Sequence, residues 1–290
     1  MACVLSGTGA RLPRLLALGG ASLMGDERPW VRVFLEIVLR ALRRVHFEYG
    51  AWGIGRQWKM DRARTELINM GYGIELADEP AVCAAISQEF MASPSLTGLW
   101  LEAEKNDLRF FGITREHQYK SVSDRGAPLF GDLMIEKFER SGDDFTVIQP
   151  RSFIESKRAR LWKVDLATGQ VIPEGRQTRR ICADILKLKR ERDALKGEGK
   201  QVYLHVLVLG IYEEDETGNP TRISDEPITF FEGLRKETGA TLDGPYLRWL
   251  PLTWSNPPPE VPCKNPVVRK SLWIALSEID NPSGANGPNA

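Results

Sequence analysis

The sequence predicts an α/β protein, a mixed central β-sheet flanked by helices, with N-terminal helices before it and an irregular C-terminal extension after it. Three observations carry this. Helical patterns over the first ninety residues give way to three strand-like segments. A second helical pattern follows them. The most apolar run of the chain, Val202 to Ile211, comes after that and reads as a strand buried on both faces. The order is helix, three strands, helix, buried strand.

Residues 1–25 read as a disordered or mis-assigned extension. Arg11 and Arg14 followed by Leu15, Leu16, Ala17 and Leu18 faintly resemble a signal peptide, but the apolar run is short and Met24 offers another start. Pro29 suits the first turn of a helix, and Trp30, Val33, Phe34, Ile37, Val38, Ala41 and Val45 recur at helical spacing. Gly50, Gly53 and Gly55 are expected to end it, and a second helix is expected from Met60 to Met70. Asp78, Glu79 and Pro80 open a third, with Val82, Ala85, Ile86 and Phe90 on its apolar face and Ser93-Pro94 as its stop. Leu96 to Glu104 adds another helical turn or two.

Strands are expected over Leu108 to Ile113, Leu133 to Phe138 and Phe145 to Leu161, with a turn at Gly142-Asp143-Asp144 and a break or bulge at Pro150. A helix from Thr178 to Lys196 turns Ile181, Ile185 and Leu188 inward, and the buried strand follows. Beyond it the chain is acidic and loop-rich, with a short helix near Phe230 to Glu237, a stiff Pro257-Pro258-Pro259 connector and a disordered tail from Pro282. The expected units are a helical region (26–75), a core (76–215) and an extension (216–290).

Cys3, Cys83, Cys182 and Cys263 form no Cys-x-x-Cys pair, which points to a reduced, cytoplasmic setting rather than a disulfide framework. His46, His117 and His205 lack zinc-ligand spacing. No apolar run reaches membrane-spanning length, so no membrane partner is expected. Net charge is zero but segregated: residues 151–196 hold thirteen Lys/Arg against six Asp/Glu, whereas residues 212–247 hold nine acidic to three basic. A neutral protein so divided can offer a basic face to phosphates and an acidic region to a protein partner.

The chemistry centres on Glu155-Ser156-Lys157. Two side chains two residues apart on a strand share a face. With Asp132 from the neighbouring strand, Glu155 supplies a second carboxylate for a hard divalent cation, and the Ser156 carbonyl a further oxygen. Lys157 then contacts an attacking water or a scissile phosphate. Chance alone gives about one Glu-x-Lys in a chain with twenty-four Glu and thirteen Lys, and Glu198-Gly199-Lys200 is a second copy in a glycine-rich turn. Position separates them: Glu155 follows Phe153 and Ile154 and lies 22 intervening residues after Asp132.

These residues, in this order of elements, resemble the PD-(D/E)xK, or restriction-endonuclease-like, nuclease superfamily over roughly residues 78 to 212. The resemblance implies a helix, three strands, a helix and a strand as the core, with the first acid opening the second strand and the Glu-x-Lys in the third. Asp132 matches that acid, with Gly131 in place of the usual proline. Asp144, ten intervening residues before Glu155, is the rival. A Glu of the first core helix joins the metal site in many members; Glu79 is the best match and Glu89 the second. The implied activity is Mg²⁺-dependent cleavage of DNA, with Mn²⁺ as substitute, in restriction or genome defence, and a two-fold dimer suits double-strand cutting.

Arg158 and Arg160 after the motif, with Arg176, Arg179 and Arg180 at the next helix start, are candidate phosphate contacts. Two readings compete with the nuclease: a non-catalytic subunit of the same fold that binds nucleic acid or a protein partner, and an unrelated α/β enzyme in which Glu155 and Lys157 are a simple ion pair. Trp249, Trp254, Trp273, Cys83 and Cys182 are expected to be packing residues, and Gly53-Ile54-Gly55 lacks the setting of a phosphate loop.

Overall fold

In the computed structural model, residues 29–60, 67–69, 73–92, 109–120, 128–141, 144–159, 162–164, 171–173, 176–197, 202–214, 226–252, 263–264 and 269–280 are described. Helix α1 (Pro29–Gln57) buries Phe34, Ile37, Val38, Ala41 and Val45 while Arg32, Arg40 and Arg43 stay exposed, as the spacing predicts. It does not stop at Gly50 but runs through Gly53 and Gly55 to Gln57. Each interior glycine costs about 1 kcal/mol. A helix already nucleated over six turns propagates through that penalty.

Strands β1 (Trp58–Met60) and β2 (Leu67–Asn69) then pair antiparallel. The helix expected over Met60 to Met70 is therefore absent at both of its described ends. Leu67 and Ile68 take ladder partners at Cys263 and Lys264, nearly two hundred residues away. Such long-range pairing overrides local propensity. A 3-10 turn (Gly73–Leu76) leads into α2 (Glu79–Ala92), which buries Val82, Ala85, Ile86 and Phe90. Leu96 to Glu104 lies outside the described residues.

Next come β3 (Arg109–Lys120), β4 (Pro128–Ser141) and β5 (Asp144–Ala159), an antiparallel meander longer than the sequence suggested. Pro150 does sit at a bulge: Ile135 pairs with Ser152 and Lys137 with Ile148, so Glu136 alone faces Gln149, Pro150 and Arg151. Short strands β6 (Trp162–Val164) and β7 (Val171–Pro173) pair with each other. Helix α3 (Arg176–Gly197) turns Ile181, Ile185 and Leu188 inward and carries the chain over to β8 (Val202–Glu214), parallel to β5. A parallel pair needs such a crossover.

Helix α4 (Pro227–Thr238), β9 (Leu242–Leu252), β10 (Cys263–Lys264) and β11 (Arg269–Ile279) complete the chain. The C-terminal region is not the irregular extension expected from the sequence. β9 and β11 are full strands, and the six-stranded sheet has the order β3-β4-β5-β8-β11-β9. The periodicity of β11 is masked because, beyond exposed Arg269 and half-buried Ser271, it is buried on both faces. The Pro257 run and the residues from Pro282 lie outside the described residues.

Alternate residues of β4, β5, β8 and β11 feed two separate cores. Leu133, Ile154, Leu207 and Ile274 join α1 and α2 on one face. Met134, Phe153, Val206, Val208 and Trp273 join α3 and α4 on the other. Trp273 is wholly buried, and its indole lies over Gly210, its cross-strand partner. A Cβ at Gly210 would sit 2.1 Å from that ring. Trp249 meets Tyr212 edge-on with ring centroids 5.7 Å apart, also a packing contact. No helix among the described residues is long and apolar enough to cross a membrane.

Candidate functional site

Strand parity sets the site. Phe153 packs into the α3-side core, so Glu155 and Lys157 leave β5 on that same side, opposite Val206 and Val208 of β8. The paired register of β4 with β5 ends at Leu133–Ile154. One step further the backbone bond is replaced by a side chain: the Ser156 N–H donates to Oδ2 of Asp132 at 2.8 Å. The N–H and C=O of one strand residue point to the same side. The Ser156 carbonyl therefore also faces the opening beside Asp132.

Lys157 Nζ stands at the centre. It lies 2.9 Å from Glu155, 3.0 Å from Glu79, 3.3 Å from Asp132 and 3.5 Å from Asp184. Four carboxylates from β5, α2, β4 and α3 thus surround one ammonium. Side-chain exposure rises from 9% at Glu155 and 14% at Lys157 to 25% at Asp132, 30% at Asp184 and 35% at Glu79. Glu155 is the floor of the cluster, and the other three acids form its mouth.

Burial pushes the Glu155 carboxyl up to about 7, helped by the Asp132 charge and opposed by Lys157. Burial also raises Glu79, against the pull of Lys157. At Lys157 burial works against the charged form, but Glu155, Asp132 and Glu79 outweigh it and hold the ammonium above its usual range. Beside them Cys83 is buried, and burial with the Asp132 charge pushes its thiol up to about 12. It is a packing residue rather than a nucleophile.

No protein-family model, curated protein or solved structure matches this chain.

Of the residues expected from sequence, the structure brings Asp132, Glu155, Lys157 and Glu79 together and gives Ser156 its bond to Asp132. Glu89 is elsewhere, 3.8 Å from Arg44 of α1. Asp144 opens β5 at the hairpin, paired with Ser141. Ten intervening residues of strand, on the order of 35 Å, separate it from Glu155. Arg158 leaves on the face opposite Lys157, and its guanidinium is bound to the backbone carbonyls of Ile74 and Glu75 instead of standing open to a phosphate. Arg179 and Arg180 are exposed on α3 and Arg176 begins it, while Arg160 lies outside the described residues.

Asp184 was missed. It lies three residues after Ile181 and one before Ile185, an acid beside the apolar stripe of α3, and that position was the available signal. Also missed was a buried triad in which Lys270 Nζ lies 2.8 Å from Glu75 and 2.6 Å from Glu213.

The donor chemistry fits a hard cation: carboxylate oxygens and a strand carbonyl, with no soft ligand required. The groups are drawn in around the ammonium, however, and among the described residues no set of three His, Cys, Asp or Glu is spaced to hold a metal ion. The ammonium and a cation cannot share that centre.

Proposed function

We propose that this protein is a Mg²⁺-dependent DNA endonuclease of the PD-(D/E)xK kind, acting in restriction or genome defence. The observation that carries the reading is the convergence of Glu79, Asp132 and Glu155 on Lys157 from three separate elements. The connectivity supports it, since α2, β3, β4, β5, α3 and β8 come in that order, with only the short β6–β7 pair inserted before α3, and β5 is parallel to β8. Burying a carboxylate and an ammonium is costly to stability, and groups so perturbed cluster at functional sites.

Asp132, Glu155, the Ser156 carbonyl and Glu79 would hold Mg²⁺, which supplies charge neutralisation and a more acidic bound water. Lys157, whose Nζ lies among the carboxylates in the structure, would turn away from them when the cation is held and would orient the attacking water or bind the scissile phosphate. Asp132 is fixed for its part by the Ser156 amide. Glu155, with its raised affinity for a proton, is the group that must ionise before a cation is held. Hydrolysis adds the water oxygen to phosphorus, breaks one ester P–O bond and leaves the freed alkoxide to take a proton from solvent.

Plasmid, linear and single-stranded DNA incubated with and without Mg²⁺ test the reading. Cleavage is expected only with the cation, and Glu155→Ala and Lys157→Ala are expected to abolish it. Cleavage that survives both substitutions sinks the site. Binding of DNA with no cleavage and no Mg²⁺ heat transfers the protein to the non-catalytic subunit reading.

A further inference from the structure

Lys157 and Arg158 are neighbours that leave β5 in opposite directions, yet their contacts meet again. Lys157 reaches Glu79 at the start of α2. Arg158 passes to the other face and donates to the carbonyls of Ile74 and, at 3.3 Å, Glu75. Those carbonyls belong to the 3-10 turn that leads directly into α2. The turn closes with the Ala77 N–H on the Ile74 carbonyl, and Asp78 caps the helix by accepting the Ala81 N–H at 2.8 Å. Glu79 is the next residue after that cap. The contacts form a closed ring from the Arg158 guanidinium through the turn, the cap and Glu79 to Lys157, and back along one peptide bond.

The turn has little freedom otherwise. Gly73 adopts φ +59°, and a Cβ there would lie 2.2 Å from Nδ1 of His46. The same Nδ1 accepts the Ile74 N–H at 3.3 Å. Glu75 takes two bonds from Lys270, at 2.8 and 3.0 Å. His46 and Lys270 tie the turn to α1 and β11. Arg158 alone among these ties it to the strand that carries Glu155 and Lys157.

We propose that Arg158 is a positioning residue that sets how far Glu79 reaches into the carboxylate cluster, so that β5 fixes both the Lys157 ammonium and its partner on α2. The part of this that concerns cation binding rests on the function proposed above; the part that concerns the turn does not. Outer contacts that orient a ligand are commonly worth ten- to a hundred-fold in metal affinity.

The test is a double-substitution cycle read by calorimetry with Mn²⁺ alone, together with amide hydrogen exchange. Arg158→Met keeps the side-chain bulk and removes the donors. It is expected to weaken Mn²⁺ binding by about tenfold in the otherwise native chain and to add nothing in a Glu79→Gln background. Arg158→Lys, which restores one donor, is expected to recover part of the loss. Exchange at Ala81 and Val82 is expected to speed at least about tenfold in Arg158→Met, while the amides of α3 stay unchanged.

An equal loss of affinity in both backgrounds overturns the proposal, as does unchanged exchange in the first turn of α2. If the native chain binds no Mn²⁺, the function reading fails and the exchange result alone decides whether Arg158 holds the turn. If Arg158→Met does not fold, Arg158→Lys carries the same two measurements.

Discussion

The Ser156 N–H donates to Asp132 at 2.8 Å where the paired register of β4 and β5 ends, so a side chain closes the last step of the ladder. Asp132 therefore serves the backbone as well as the cluster. Asp132→Asn keeps an acceptor for that amide, whereas Asp132→Ala leaves it unsatisfied. The alanine variant is expected to be less stable than the asparagine variant by about 1–2 kcal/mol in urea unfolding. Both are expected to lose at least about a hundredfold in Mg²⁺-dependent cleavage, because the charge is gone in each. Equal stabilities in the two variants would show that the bond contributes nothing.

Glu155 predicts a pH dependence. Its folded-state carboxyl holds a proton up to about pH 7 because it is buried and lies near Asp132. A raised folded value contributes stability that is fully present below the unfolded value near 4.5 and is lost as pH rises through 7. Each unit of difference corresponds to about 1.4 kcal/mol, so native protein is expected to lose about 2–3 kcal/mol relative to Glu155→Gln across that window. Urea midpoints of both proteins in chelator, from pH 4 to 8, measure it. A flat difference would mean that Glu155 is not the titrating group. Over the same window Mg²⁺ affinity is expected to fall about tenfold per pH unit below 7, as protons compete for the carboxylate.

Lys157→Met removes the ammonium from among four carboxylates. Breaking one partner of a buried charge group costs about 3–5 kcal/mol, and the half-open mouth of this cluster places the loss toward the lower end. The variant is expected to melt well below the native protein in chelator and to recover part of the difference in millimolar Mg²⁺. A thermal shift assay reads both. Recovery that is no greater than for native protein would mean that the carboxylates do not gather a cation.

Gly210 faces the Trp273 indole, and an added Cβ would meet the ring at 2.1 Å. Overpacking of this kind costs about 1–3 kcal/mol. Gly210→Ala is expected to lose that much in denaturant unfolding. The loss should be smaller when Trp273→Leu is already present, because neighbouring substitutions couple. Additive losses would mean that the indole does not press on the strand.

Much of the central architecture was legible because its signals are local. Pro150 announced the bulge, the run from Val202 announced the buried strand, and Ile181, Ile185 and Leu188 announced the inward face of α3. Where partners are remote, local sequence carries no signal of them. Leu67 and Ile68 look helical until Cys263 and Lys264 pair beside them. The strand Arg269–Ile279 shows no alternation because both of its faces are buried. At the site, Glu155 and Lys157 were legible from parity on one strand and Asp132 from its place before an apolar run. Asp184 required knowing that α3 lies over β5. The role of Arg158 required its contacts with a turn more than eighty residues away.

β11 lies between β8 and β9, and among the described residues β9 has no other neighbour in the sheet. The sheet is therefore not assembled in the order in which its strands are synthesised. When β9 leaves the ribosome its native partner β11 has not yet been made, and the β8 edge that β11 covers in the fold is largely apolar. Both conditions persist until residues 269–279 arrive. A nascent chain or a proteolytic fragment that stops before residue 269 would carry Asp132, Glu155 and Lys157 intact, yet expose the edge most prone to wrong association.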